Sequence, residues 1–431
     1  MPGLFKLKEH GTDTKTEVIG GITTFLTMAY IIFVNPMILS ETGMDKPALI
    51  TATCLAAALG TFLVGLWANV PFAMAPGMGL NAFFTYTLVL GQGLNWQTAL
   101  GVVFVSGIVF LVLTVVGIRE KVVTAIPVGL RIATAAGIGL FITFIGMKNL
   151  GLIVDNPATL VSIGPLTTPV LIGLVALLVI TVLEARKIKG AILIGIVFAT
   201  IVGALFGEVS LPEKLVSAPP SLAPIAFKLD IPAALQWGLV GAIFSFMFVD
   251  LFDSIGTIVA CSYEAGYVEP DGTIKKIDKV LEADAVATIA GSLLGTSTTT
   301  TYIESASGIG DGARTGLASV VTGSLFLLGL FLAPLIGVVP GFATAPALII
   351  VGVYMFRNIK EINFSDLKIA VPSFLTMILM PLTFSIATGL TVGFLSYILI
   401  AVCSGDFKKV SPVMWVVGLL SAINLAVSVV H

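Results

Sequence analysis

Fifteen apolar runs follow one another along 431 residues, at 18–39, 48–67, 71–90, 96–117, 126–147, 167–184, 190–206, 233–260, 283–296, 302–312, 315–339, 343–357, 369–386, 388–403 and 412–430. One helical crossing of a bilayer takes about 20 mostly apolar residues, so the chain reads as an all-α polytopic membrane protein. Composition agrees: 57% of the residues are hydrophobic and 11% are charged, whereas a soluble domain carries about 25% charged residues. In water such a chain would expose more apolar surface than soluble monomers tolerate. The lipid bilayer is its expected solvent and partner.

Several chemistries are excluded at once. The two histidines, His10 and His431, sit at the extreme ends, so the spans hold no histidine-built metal site and no Ser/His/Asp triad. Cys54, Cys261 and Cys403 are far apart and lack CxxC spacing, which leaves them as small hydrophobes rather than a zinc or disulfide framework. No metal or cofactor is expected. A net charge of −2 with 22 Lys and Arg residues does not suit a nucleic-acid partner. The opening residues 1–16 are polar and mixed in charge, unlike a cleaved signal peptide.

Charge placement orients the spans, because basic residues collect on cytoplasmic loops. Lys6, Lys8 and Lys15 precede the first span, and Arg119 and Lys121 follow the fourth. Arg186, Lys187 and Lys189 follow the sixth, and Lys275, Lys276 and Lys279 the eighth. Arg314 follows the tenth, Arg357, Lys360 and Lys368 the twelfth, and Lys408 and Lys409 the fourteenth. Strict alternation puts all of these on one face. The expectation is fourteen spans in the plasma (inner) membrane with a cytoplasmic N-terminus, and a further run at 412–430 that either crosses or lies against the bilayer.

The spans also repeat. The first half opens with a span whose middle is polar (Thr23, Thr24, Thr27, Asn35), and so does the second (Ser245, Asp250, Asp253, Ser254, Thr257). In each half the third span is broken, by Pro71 and Pro76-Gly77-Met78-Gly79 in one and by Thr296 to Thr301 in the other. Seven spans per half make the second copy inverted, as in many secondary transporters. Helix breaks at membrane depth survive only where protein or an aqueous cavity covers the freed backbone groups.

Three acidic residues are read inside spans: Asp250, Asp253 and Glu304. Each costs at least about 2.5 kcal/mol at mid-membrane on insertion scales, and no Lys or Arg lies mid-span to neutralise them. Asp250 and Asp253, three apart, are expected to share a helix face that Thr257 continues. The six Ser/Thr residues 296–301 resist helix formation. An extended stretch there, followed by a helix from Tyr302 or Ile303, would aim free N–H groups at the membrane centre with Glu304 in the first turn. Residues 75–84 do the same in the first half, with Asn81 in the place of the acid. Phe83, Phe84, Tyr86, Phe244, Phe246, Phe248 and Tyr302 cluster nearby, and one or two of them could stack on a flat ligand. Amide, carboxylates and rings together suit a planar heterocycle with N–H and C=O edges.

Three segments carry a family resemblance: Met74-Ala75-Pro76-Gly77-Met78-Gly79-Leu80-Asn81-Ala82-Phe83-Phe84, Phe248-Val249-Asp250-Leu251-Phe252-Asp253-Ser254-Ile255-Gly256-Thr257 and Thr298-Thr299-Thr300-Thr301-Tyr302-Ile303-Glu304-Ser305. With the opening Thr24-Phe25-Leu26-Thr27-Met28-Ala29-Tyr30, the chain resembles AzgA-like purine permeases of the nucleobase:cation symporter-2 superfamily along essentially its whole length. The resemblance implies a uracil-permease-like fold of two inverted seven-helix repeats, with extended segments before half-helices in spans 3 and 10. It implies a core domain of 1–118 and 231–340, a gate domain of 119–230 and 341–431, and a homodimer. It further implies proton symport of a purine nucleobase. Asn81, Asp250 and Glu304 would bind the base, with Phe83, Phe246, Tyr302 and Thr301 as further contacts. Asp253, with Asp250 as alternative, would carry the proton.

An ionised Glu304 with two adjacent acceptors favours guanine and hypoxanthine over adenine, which turns an acceptor toward one of them. The alternatives are an adenine permease of the same family, then a sulfate or bicarbonate transporter of the same fold. Helix N-termini suit anions, but Asp253 and Glu304 would repel one. An intramembrane enzyme is disfavoured by the lack of a nucleophile–base pair.

Overall fold

Backbone N–H and C=O groups in hydrocarbon must bond within their own segment, and the apolar runs accordingly fold as helices. The computed structural model describes residues 2–117, 125–210, 212, 214–269 and 274–430. Arg119 and Lys121, the domain boundary drawn at 118/119, and His431 lie outside the described residues. Among the described residues, nine helices are long and apolar enough to cross a membrane.

In the first half, α1 (Thr14–Met28) starts on Asp13, whose carboxylate accepts from the Thr16 N–H at 2.8 Å. Ala29 and Tyr30 separate it from α2 (Ile31–Ser40). Then come α3 (Lys46–Leu63), strand β1 (Met74–Pro76), and α4 (Met78–Ala82), which continues in wider turns to Gly91. They are followed by α5 (Trp96–Val115) and α6 (Val128–Leu150). A hairpin of β2 (Ile153–Asn156) and β3 (Leu160–Ile163) leads to α7 (Thr168–Ala185) and α8 (Ala191–Leu205).

The second half repeats the order: α9 (Val240–Ala265), α10 (Ile277–Leu294), strand β4 (Thr299–Thr301), α11 (Ser305–Gly310) and α12 (Gly316–Gly329). It closes with α13 (Gly341–Phe356), α14 (Leu367–Leu382) and α15 (Ile386–Cys403). With α1 and α2 counted as one broken span, each half has seven membrane elements, and the third of each is a short strand followed by a short helix. A last helix, α16 (Pro412–Val430), packs against α15 and α9 and buries Met414 and Val417.

Glycines set how closely helices cross at two places. A Cβ at Gly352 would run into the Thr143 hydroxyl and the Gly139 carbonyl, so α13 lies directly on α6. One at Gly308 would meet the Thr24 hydroxyl and the Gly20 carbonyl, which seats α11 on α1. Close backbone approach through small residues is how membrane helices associate without a hydrophobic driving force. Leu178, Ile201, Leu205, Leu328, Leu399 and Leu419 stay exposed on the outside, the surface a lipid solvent requires.

Two boundaries differ from the sequence expectation. The tenth span does not begin its helix at Tyr302 or Ile303. Strand pairing holds Thr299–Thr301 extended, and the helix starts at Ser305 with Glu304 at its cap rather than within its first turn. The ninth begins at Ile277 instead of 283, which places Asp284 well inside it. Asp284 and Glu17 are both fully buried, so the count of three span acids was too low. A helix start, unlike an apolar run, tolerates charges in its exposed first turns, and that hid both residues.

Candidate functional site

Strands β1 and β4 meet antiparallel at the centre of the molecule, pairing Met74 with Thr301, Ala75 with Thr300 and Pro76 with Thr299. Extended backbone here has few partners, and each is supplied. Gly77 N–H donates to Thr298 O at 3.0 Å and Tyr302 N–H to Ala73 O at 2.9 Å. Tyr302 Oη donates to Pro76 O at 2.5 Å, while Ser305 Oγ accepts from Ala73 N–H at 3.0 Å. The short helices α4 and α11 leave this crossing in opposite directions, as inverted copies must.

A cavity of about 740 Å³ opens beside the crossing, between α1, α9 and α11 on one side and α6, α7, α8 and α13 on the other. Asp253 and Glu304 both line it, together with Thr27, Thr257, Ile303 and Tyr354. Lys187, Lys189 and Arg357 stand on its rim. Nearby, Lys189 pairs with Asp311, which also accepts from the Thr23 hydroxyl at 2.7 Å. Glu304 Oε1 accepts from the Tyr30 hydroxyl at 2.5 Å.

The other expected site residues do not line this cavity. Asp250 is buried and turned toward α10, where Thr288 Oγ1 donates to its Oδ2 at 3.4 Å, and its Oδ1 has no partner among the described residues. Asp250 and Asp253 are neighbours on α9 but differ in their surroundings. Three residues at 3.6 per turn leave about 60° between side chains, enough to put one in the α9–α10 seam and the other on the cavity. Asn81 Oδ1 accepts from Ser297 Oγ, and its buried Nδ2 has no partner among the described residues. Phe83 stacks on Phe246 with ring centres 4.7 Å apart, both fully buried. Thr301 bonds to Asp284 through its N–H at 3.1 Å and its hydroxyl at 3.2 Å.

Two missed acids organise this interior. Asp284 Oδ2 also accepts from Ser254 Oγ at 2.9 Å, tying α9, α10 and β4 together. Glu17 accepts from the N–H groups of Arg314, Thr315 and Ala318 at 2.7 to 3.3 Å, capping α12 with a charge its dipole favours. An acid at the very start of an apolar run was the available signal for both: Asp284 is the second residue of 283–296 and Glu17 directly precedes 18–39.

Away from the cavity, the same helix groups touch. Glu41 Oε1 accepts from Tyr86 Oη at 2.7 Å and from Asn149 Nδ2 at 3.4 Å. The Lys148 ammonium lies 5.7 Å from the Tyr86 ring centre and 5.6 Å from that of Phe384. The Phe384 ring packs on Tyr86, Phe141 and Phe144. Helices α2 and the Tyr86 segment are thus closed onto α6 and the α14–α15 turn.

Paired strands and short helices beside a cavity lined by Asp253 and Glu304, within a set of apolar spans, mark a polytopic membrane protein. The description "Permease family" (Xan_ur_permease) matches residues 15–392. The chain is 46% identical to the adenine permease AdeP of Escherichia coli (strain K12), over 98% of this chain and 95% of that one. It is 44% identical to the guanine/hypoxanthine permease PbuG of Bacillus subtilis (strain 168), over 96% and 97%. The transmembrane domain of the cyanobacterium bicarbonate transporter BicA superposes with a TM-score of 0.68 at 17% identity, over 87% of this chain and 97% of that one, a likeness of fold alone. The chain belongs to the Permease family, as its resemblance to AzgA-like purine permeases implied, and has the uracil-permease-like fold.

Proposed function

We propose that this permease is a proton-coupled importer of purine nucleobases. The observation that carries the reading is the pair Asp253 and Glu304 on one wall of a cavity of about 740 Å³, a size ordinary for small-molecule sites. Relatives named for adenine and for guanine/hypoxanthine support the substrate class. Glu304 meets a base N–H, and Asp253 carries the proton, since the spans contain no histidine. Asn81, Asp250, Phe83, Phe246, Tyr302 and Thr301 sit one side chain behind the wall, holding the half-helices, and become base contacts as the wall closes round the substrate.

Transport proceeds by alternating access. Residues 1–118 and 231–340 act as the core, which carries the site, and 119–230 and 341–431 act as the gate, in a homodimer. Lys187, Lys189 and Arg357 at the rim make the open side cytoplasmic by the positive-inside rule, in the inner membrane and with a cytoplasmic N-terminus. Guanine and hypoxanthine are the proposed bases. A second reading, adenine, is favoured by the Tyr30 contact: with the carboxylate held through Oε1, one oxygen turned toward the base is satisfied equally by the adenine 6-amino group.

Uptake of labelled hypoxanthine by cells lacking their own purine permeases tests the reading, with excess guanine, adenine, sulfate and bicarbonate as competitors. Saturable uptake that purines alone suppress is expected. Absence of purine uptake, or suppression by the inorganic anions, rejects it; better competition by adenine than by guanine moves the assignment to adenine.

A further inference from the structure

Tyr30 stands in the two-residue break between α1 and α2 and is 1% exposed. A tyrosine hydroxyl in an apolar interior needs a hydrogen-bond partner, and this one is Glu304 Oε1, at 2.5 Å. One turn earlier, Thr27 lines the cavity, its hydroxyl donating back within α1 to Thr24 O at 2.9 Å. The residue just past the end of α1 thus holds Glu304 by its side chain. A carboxylate held on one oxygen by a buried ring cannot rotate freely, so the bond to Tyr30 fixes which way its other oxygen points.

Resting on the purine reading above, we propose that Tyr30 is a specificity-determining positioning residue: by bonding Oε1 it turns the carboxylate so that Oε2 alone faces the base. Guanine carries two adjacent donors, N1–H and the 2-amino group, whereas hypoxanthine carries N1–H alone. With one acceptor available, the second donor of guanine gains nothing from Glu304. Tyr30→Phe keeps the ring and removes the hydroxyl, so that Oε1 and Oε2 together face both donors. A hydrogen bond to a charged group gained by guanine alone raises its affinity about tenfold relative to hypoxanthine.

The test is competition against labelled hypoxanthine uptake by wild type and by Tyr30→Phe, both as the full chain. Loss of folded protein or of turnover lowers both bases alike and leaves their ratio unchanged, so the ratio isolates the proposed role. In wild type, guanine and hypoxanthine are expected to compete within about threefold of each other; in the variant, guanine is expected to gain about tenfold. A variant that transports with the wild-type ratio overturns the role of Tyr30 and leaves the purine reading intact. Should the variant not reach the membrane, the wild-type arm decides: a guanine preference of about tenfold or more means both oxygens were already available, and the inference fails. If no purine competes in wild type, the functional reading itself is wrong, and the role of Tyr30 falls with it.

Discussion

Glu304 is held by Tyr30 at 2.5 Å and lines the cavity, so Glu304→Gln is a sharp probe. Glutamine keeps the volume and can still accept from Tyr30, but turns an amide donor toward the base where an acceptor is needed. Uptake should fall by about one to two decades while immunoblots of membrane fractions stay unchanged; near-wild-type uptake would remove Glu304 from the site. Asp253→Asn addresses the proton instead. An asparagine cannot load and release one, so base exchange across the membrane should persist while accumulation driven by a pH gradient is lost. Gradient-driven accumulation at the wild-type level would exclude Asp253 as the carrier. Both residues were legible in the sequence because an acid inside an apolar run is costly enough to need a reason. Tyr30 was not, because its partner lies 274 positions away and a tyrosine in an apolar run is ordinary.

At the scale of elements, the strand crossing depends on Asp284, which holds Thr301 by N–H and hydroxyl and Ser254 by its hydroxyl. Asp284→Ala strands these buried donors, at about 1–3 kcal/mol for each left unsatisfied. The purified protein should melt several degrees lower in detergent, with uptake reduced in the same variant; an unchanged melting temperature would show that the network does not hold β4 in place. The run of six Ser/Thr residues announced an extended segment, and the glycines at 77 and 79 announced a break. Their pairing was not visible, because register between β1 and β4 is a tertiary fact set by neighbouring α3 and α10. Asp284 was overlooked for a related reason. Asp278, Lys279 and Glu282 precede it closely, and the group reads as a loop until the helix is seen to start at Ile277.

For the whole molecule, the cavity is open on the side of Lys187 and Arg357, while the contacts around Phe384 hold the opposite group of residues together. Under the alternating access proposed above, the half-helix block moves against α6 and α13, and one contact offers a direct means of preventing that motion. A Cβ built at Gly79, on α4, lies 3.9 Å from the Cβ of Ile138 on α6, within the usual range for a disulfide, about 3.5–4.5 Å. The native cysteines do not interfere once Cys403, the exposed one, is replaced, since Cys54 and Cys261 are buried. The double variant Gly79→Cys/Ile138→Cys should transport when reduced, lose nearly all uptake on oxidation, and recover with reductant, while each single variant stays insensitive. The bond would tie the proposed core to the proposed gate in the conformation seen here. Undiminished uptake through protein shown by mass spectrometry to be fully crosslinked would mean that α4 and α6 travel together, and that the moving boundary lies elsewhere.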